Sequence, residues 1–224
     1  MKAFLIYIEG HEGSEKQAES AYESTTRNGF DVIRTPGITP ATLGDYKKYS
    51  SPEVSNGRVT NFKRENTKTY LTKMSCFFNH VEIWKKCVEL NEPVAFIEHD
   101  SYCIRDWNNP VWKDVLILNV QSAFNQPVFD HVRDKPALGL GQCIYNKSPL
   151  RYRFNNDFQG SLMIPGTGAY AITPKGAGKL LSALHKYGWE QSDFFINTFN
   201  VDIEYVVPEY FTFKHSNLNT SHGF

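Results

Sequence analysis

Apolar and polar positions fall into alternating blocks along the chain. Ala3 to Ile8 is an apolar run closed by Glu9, long enough for a buried strand and too short for a signal-peptide core. Gly10-His11-Glu12-Gly13 turns the chain. Ser14 and Gln17 make a capping-box pattern, Ala18, Ala21, Tyr22 and Thr25 follow at helical spacing, and Gly29 suits the position after a helix end. Phe30 to Arg34 is a second strand, so the opening strand-helix-strand unit predicts a parallel pair. Thr39 and Pro40 are placed to open a short helix through Leu43. From 45 to 68 the chain is polar and has little period, as expected of a long functional or surface loop. Thr69 to Leu90 carries the clearest helical stripe: Met74, Phe77, Phe78, Val81, Trp84 and Val88, interrupted by Asn79 and His80. Asn91-Glu92-Pro93 ends it, and Val94 to Ile97 is a second buried strand signal, followed at once by Glu98-His99-Asp100.

Beyond this strand, Ile104 to Trp112 reads as a loop with two Trp, and Val115 to Val120 as a strand. Residues 121–160 are irregular, and rich in Arg and aromatic side chains. Leu138-Gly139-Leu140-Gly141 lacks the third glycine of a dinucleotide fingerprint, which excludes a Rossmann cofactor site. Thr173-Pro174 is a cap followed by proline at the first helical position, with Ala177, Leu180, Leu181 and Leu184 on the helix and Gly188 at its end. Gln191 to Ile196 predicts another helix start with Asp193 as its capping acid. Val201 to Val207 is a last strand closed by Pro208, and Phe211 to Phe224 an aromatic and polar tail. Neither repeats nor linkers divide the chain. The pattern predicts one α/β domain over 1–224, with a mostly parallel central sheet flanked by helices. Its parts are an N-terminal unit (1–43), a polar loop (44–70), a core (71–207) and a tail (208–224).

Composition narrows this reading. With 224 residues and 41% hydrophobic content the chain can bury a substantial core. Lys plus Arg and Asp plus Glu are both 24, so no net charge draws it to nucleic acid or to an anionic membrane. Cys76, Cys87, Cys103 and Cys143 form no C-x-x-C pair, which argues against a zinc site or a disulfide framework. No run approaches membrane-spanning length. A soluble, cytoplasmic protein is the expectation.

The chemistry-bearing stretch is Glu98-His99-Asp100. A buried strand ending in carboxylates puts them at the carboxyl edge of a sheet, where open α/β folds bind ligands. In extended chain Glu98 and Asp100 share a face, able to meet one cation, while His99 points the other way; a turn after Glu98 loosens this geometry. Oxygen ligands beside a phosphate suit magnesium or manganese. An isolated E-x-D pattern is common, and the surrounding chain has to decide. His80 on an apolar helix is ordinarily a hydrogen-bonded structural group, and His11 lies in the first strand-to-helix loop.

Three segments, in order, resemble glycosyltransferase family 25, the lipooligosaccharide and procollagen sugar transferases. Met74 to Cys87 is similar to the family's G-C-x-x-S-H helix, with Ser75 in place of the glycine and Asn79 in place of the serine before His80. Pro93 to Asp100 is similar to its strand ending in E-D-D, with His99 as the middle residue. Gly166-Thr167-Gly168-Ala169-Tyr170-Ala171-Ile172-Thr173-Pro174-Lys175-Gly176-Ala177 is similar to its G-x-x-A-Y-x-I-S-x-x-G-A. The resemblance implies a GT-A fold, a nucleotide-sugar donor (UDP above others), a divalent metal (manganese or magnesium) and inverting transfer to a hydroxyl of a glycan or small acceptor. It implies Asp193 as the catalytic base, and Asp100 and Glu98 as metal ligands, with His215 as a further one. Glu98, Asp100, Gly166, Thr167, Gly168 and His80 would serve the donor site. Two other readings stand beside it: transfer to hydroxylated nucleic-acid bases, and a non-catalytic nucleotide- or sugar-binding module in which His99 and Asn79 mark decay.

Overall fold

The computed structural model describes residues 1–48, 68–120, 161, 163–164 and 167–213. Its first unit is β1 (Lys2–Tyr7), α1 (Glu12–Arg27) and β2 (Asp31–Pro36). A 3-10 turn (Gly44–Lys48) precedes the long helix α2 (Lys68–Leu90). Then come β3 (Val94–Glu98), β4 (Ser101–Cys103) and β5 (Val115–Ile117). The last described part holds β6 (Ala169–Ile172), α3 (Pro174–Tyr187), the short α4 (Ser192–Phe195), β7 (Ile203–Tyr205) and β8 (Phe211–Phe213).

Six strands form one sheet in the order β2-β1-β3-β6-β5-β7. β1 is parallel to β2 and β3, β5 is parallel to β7, and β6 runs against both β3 and β5. Five strands therefore point one way and β6 the other, as expected of a mostly parallel α/β sheet. β4 and β8 pair antiparallel as a separate two-stranded ribbon.

Alternation along the strands sorts side chains onto two faces. Phe4, Ile6, Val94, Phe96, Tyr170 and Ile172 pack under α2 and α3 with Phe77, Trp84 and Leu180. Ala3, Leu5, Ala95, Ile97, Ala169 and Ala171 pack under α1 and the β4–β8 ribbon with Ala18, Phe30 and Phe211. Each large side chain fully buried in this way contributes roughly 1.5–3 kcal/mol relative to exposure. On the first face the stripe read from α2 packs as expected through Met74, Phe77, Phe78, Val81 and Trp84, which are buried, but its last member, Val88, is exposed.

Several local expectations are corrected. Helix α1 begins at Glu12 and not after Ser14. His11 is its N-cap, with Nδ1 accepting from Ser14 N–H at 3.1 Å, while Ser14 Oγ accepts from Ile8 N–H at 2.8 Å. Thr39 to Leu43 is a hydrogen-bonded turn, closed by Thr42 N–H on Thr39 O at 3.0 Å, and not a helix. Asp193 lies in the first turn of α4, whose N-cap is Gln191. The tail begins with a strand, β8, because β4 offers it a pairing edge. Thr173 caps α3 as expected, its Oγ1 accepting from Gly176 N–H at 3.1 Å, and Gly29 (φ +90°) follows α1.

Among the described residues, no helix is long and apolar enough to cross a membrane. Cys76, Cys87 and Cys103 are free thiols.

Candidate active site

The carboxyl ends of β1, β2, β3 and β5 meet the amino end of β6 along one edge of the sheet. Glu98 is the last residue of β3, and its N–H donates to Gly168 O at 2.7 Å. The chain then turns through His99 and Asp100 into β4, so the extended E-x-D arrangement does not form. Ser101 Oγ also donates to Gly168 O, at 3.1 Å, and this single carbonyl ties both sides of the acidic turn to β6. Gly168 has no room for a side chain, since a Cβ there would lie 2.4 Å from the Phe213 ring. β8 thus braces the turn from behind.

The acidic groups bear on one another. Burial pushes the Glu98 carboxyl up, to about 8, and the charges of Asp100 and Asp193 push in the same direction. Burial also raises Asp100, against the pull of His99. Asp100 Oδ1 is buried and, among the described residues, has no hydrogen-bond partner. His99 Nε2 shares that condition, and burial holds its imidazole below the ordinary range with His11 acting in the same sense. Burial pushes the Cys76 thiol on α2 up to about 12, and the charges of Glu98 and Asp193 act in the same direction.

A carboxylate oxygen buried without a partner, beside a second carboxyl pushed toward its protonated form by burial and by neighbouring charge, is the condition a hard divalent cation relieves. The donor set of Asp100 and Glu98 fits such an ion. Among the described residues, no group of three or more His, Cys, Asp or Glu side chains forms a ready cage, so a cation here needs oxygens from elsewhere. His215 and Gly166 lie outside the described residues.

Asp193 is held by Thr167, whose Oγ1 lies 3.1 Å from Asp193 Oδ1 and 3.0 Å from Ser192 Oγ. Thr167 is only 3% exposed, so its hydroxyl serves α4. His80 is 1% exposed and lies in the core, stacked on Phe96 with ring centroids 3.9 Å apart. Its Nδ1 is 3.0 Å from Tyr170 Oη, which also accepts from Trp84 Nε1–H at 2.9 Å. With the indole donating to the phenol oxygen, a His80 ring unprotonated at Nδ1 can accept the phenol proton. Burial lowers the His80 pKa to about 3, which keeps the ring neutral.

Two residues that the sequence did not point to belong to this region. Asn79 clamps the loop after β2 at both ends of its amide: Oδ1 accepts from Ile38 N–H at 2.6 Å and Nδ2 donates to Ile38 O at 3.2 Å. That contact gives the asparagine a structural task. Lys73 lies on α2 within the aromatic stripe. No periodicity distinguishes it, because a lysine at one position of an apolar stripe reads as a solvated stem.

Residues 45–196 match glycosyltransferase family 25 (LPS biosynthesis protein), a span that holds Glu98, Asp100, Thr167 and Asp193. No protein of curated function matches. Among solved structures, an active-site mutant of LgtC aligns with a TM-score of 0.44 at 11% identity, over 92% of this chain and 72% of that one. The galactosyltransferase LgtC in complex with donor and acceptor sugar analogs gives 0.43 at 11%, over 92% and 73%. Mouse xyloside xylosyltransferase 1, in its apo form, gives 0.41 at 12%, over 87% and 80%.

Proposed function

The chain belongs to glycosyltransferase family 25 and is a glycosyltransferase, and from that premise we propose an inverting, metal-dependent transfer from a UDP-sugar to a hydroxyl of a glycan or other small acceptor. The observation that carries the finer reading is the buried, unpartnered Asp100 Oδ1 beside the raised Glu98 carboxyl, at the ligand-binding edge of the sheet. Asp100 and Glu98 would hold a manganese or magnesium ion, which when bound neutralises charge developing on the departing diphosphate. His215 is kept as a further ligand in this reading, and Gly166 and Gly168 as backbone facing the donor.

Asp193 takes the proton of the acceptor hydroxyl. The freed oxygen forms its bond to the anomeric carbon as the carbon–phosphate oxygen bond breaks, and the nucleoside diphosphate leaves with that electron pair. Thr167, within hydrogen-bond distance of Asp193, fixes the direction of the carboxylate. His80, neutral and locked by Tyr170, keeps α2 seated against β3 behind Glu98 and moves no proton. A cytoplasmic setting goes with this reading.

The test is calorimetric binding of UDP with manganese and then with EDTA, repeated on Asp100→Ala. Manganese-dependent binding that vanishes in the variant supports the donor site. UDP binding that is indifferent to both changes overturns the metal assignment.

A further inference from the structure

On α2, Tyr70 and Phe77 lie three residues before and four after Lys73, which places all three on one stripe of the helix. Tyr70 packs edge-on against Trp189 with centroids 5.2 Å apart, and Phe77 meets both Trp189 at 6.1 Å and Phe195 at 5.0 Å. The stripe therefore faces the segment 189–195, and Lys73 faces its middle, which carries Glu190 and Asp193. Glu190 is only 3% exposed, and its Oε1 is tied to Gln191 N–H at 2.6 Å, so its position is fixed. Lys73 is itself part-buried; burial lowers its pKa, while the charges of Glu190, then Asp193, support its ionised form. A lysine left in an apolar stripe loses hydration, and it recovers that loss only from carboxylates within reach.

We propose that Lys73 is a positioning residue of the transfer reaction: the buried Glu190 anchors its ammonium, and that ammonium keeps the Asp193 carboxylate aimed at the acceptor hydroxyl. The inference rests on the reading of Asp193 as the base. Thr167 and Lys73 then fix the carboxylate from two sides, one through a hydroxyl and one through charge. The acceptor meets a base whose direction is set before it arrives, which is the condition for efficient proton removal.

The experiment uses the full chain with manganese, UDP for binding and UDP-galactose with a glycan acceptor for turnover. Lys73→Met, Lys73→Arg, Asp193→Asn and the Lys73→Met/Asp193→Asn double variant are compared. Lys73→Met is expected to lower kcat roughly 10–100-fold while leaving UDP affinity within about twofold. Lys73→Arg keeps most of the turnover, and the melting-temperature shifts of Lys73→Met and Asp193→Asn are non-additive. Turnover of Lys73→Met close to wild type, or additive shifts, overturns the proposal. A parallel loss of UDP affinity also overturns it and assigns the ammonium to the donor phosphates. Non-additive shifts in a wild-type protein that transfers no sugar leave the Lys73–Asp193 pair standing, and both the positioning role and the transferase reading fall.

Discussion

The two edges of the central sheet both carry buried carboxylates and treat them differently. At the amino edge Asp114 is fully buried ahead of β5; its Oδ1, like that of Asp100, has no hydrogen-bond partner among the described residues, but its Oδ2 accepts from Lys179 and from Asp202 N–H, the latter at 2.9 Å. Its backbone is gripped as well: Asp114 O accepts from Thr173 N–H at 2.9 Å, and a Cβ at Gly176 would lie 2.7 Å from that oxygen. The carboxyl edge has Asp100 Oδ1 without a partner, and Glu98 is pushed toward its protonated form by burial first and by the charges of Asp100 and Asp193 second. The lysine and backbone donors at Asp114 tie it to β7 and α3, and the acidic turn has no ion pair of that kind among the described residues.

The comparison breaks or sharpens under substitution. The largest effect belongs to the carboxyl edge and falls on turnover: Asp193→Asn is expected to lower kcat by roughly 10²–10⁴-fold with only a small shift in the urea midpoint. A substantial stability loss in that variant would put Asp193 on the structural side. At the amino edge the pattern reverses. Asp114→Ala is expected to cost about 1–3 kcal/mol of stability, since it strands Asp202 N–H and loosens Lys179, whose partial exposure keeps the ion pair itself modest. Gly176→Ala is expected to cost about 1–3 kcal/mol, because the new methyl must push α3 off Asp114 backbone. Both are read by urea unfolding, with transfer per folded molecule retained.

A pH titration tests the core between the edges. Burial keeps His80 from taking a second ring proton until about pH 3, whereas the unfolded imidazole takes it near 6.5. Between those values the unfolded chain binds the additional proton, so acidification favours unfolding, by about 1.4 kcal/mol per pH unit where the difference is complete. His80→Gln, which can still accept from Tyr170, is expected to flatten stability over that window. An unchanged slope would place the acid sensitivity outside the core.

The sequence carries the main elements because each shows a period: the buried strand before Glu98, the aromatic stripe of α2, and the Thr173-Pro174 start of α3. It also carries the acidic turn and Asp193, through a resemblance spread over three segments. What it does not show depends on partners distant along the chain. β4 and β8 are three residues each, too short for a period, and exist because each is the other's pairing edge. Asn79 looks like an interruption of a stripe until Ile38, 41 positions earlier, is brought to its amide. Lys73 is legible only once the 189–195 segment faces it. The helix start at Glu12 was displaced by His11, whose ring nitrogen caps as a carboxylate or hydroxyl would.

The ribbon behind the acidic turn has a consequence in time. Glu98 and Asp100 leave the ribosome well before Ala169 to Ile172, and earlier still than Phe211 to Phe213, yet Gly168 and Phe213 are what hold the turn in shape. The parallel half-sheet β2-β1-β3 can assemble from the first 98 residues, but the turn stays unbraced until the chain has been synthesised through β8. The acidic turn thus gains its frame only after β8 has been made, and translation stalled before residue 211 releases a chain with its acids but without that frame.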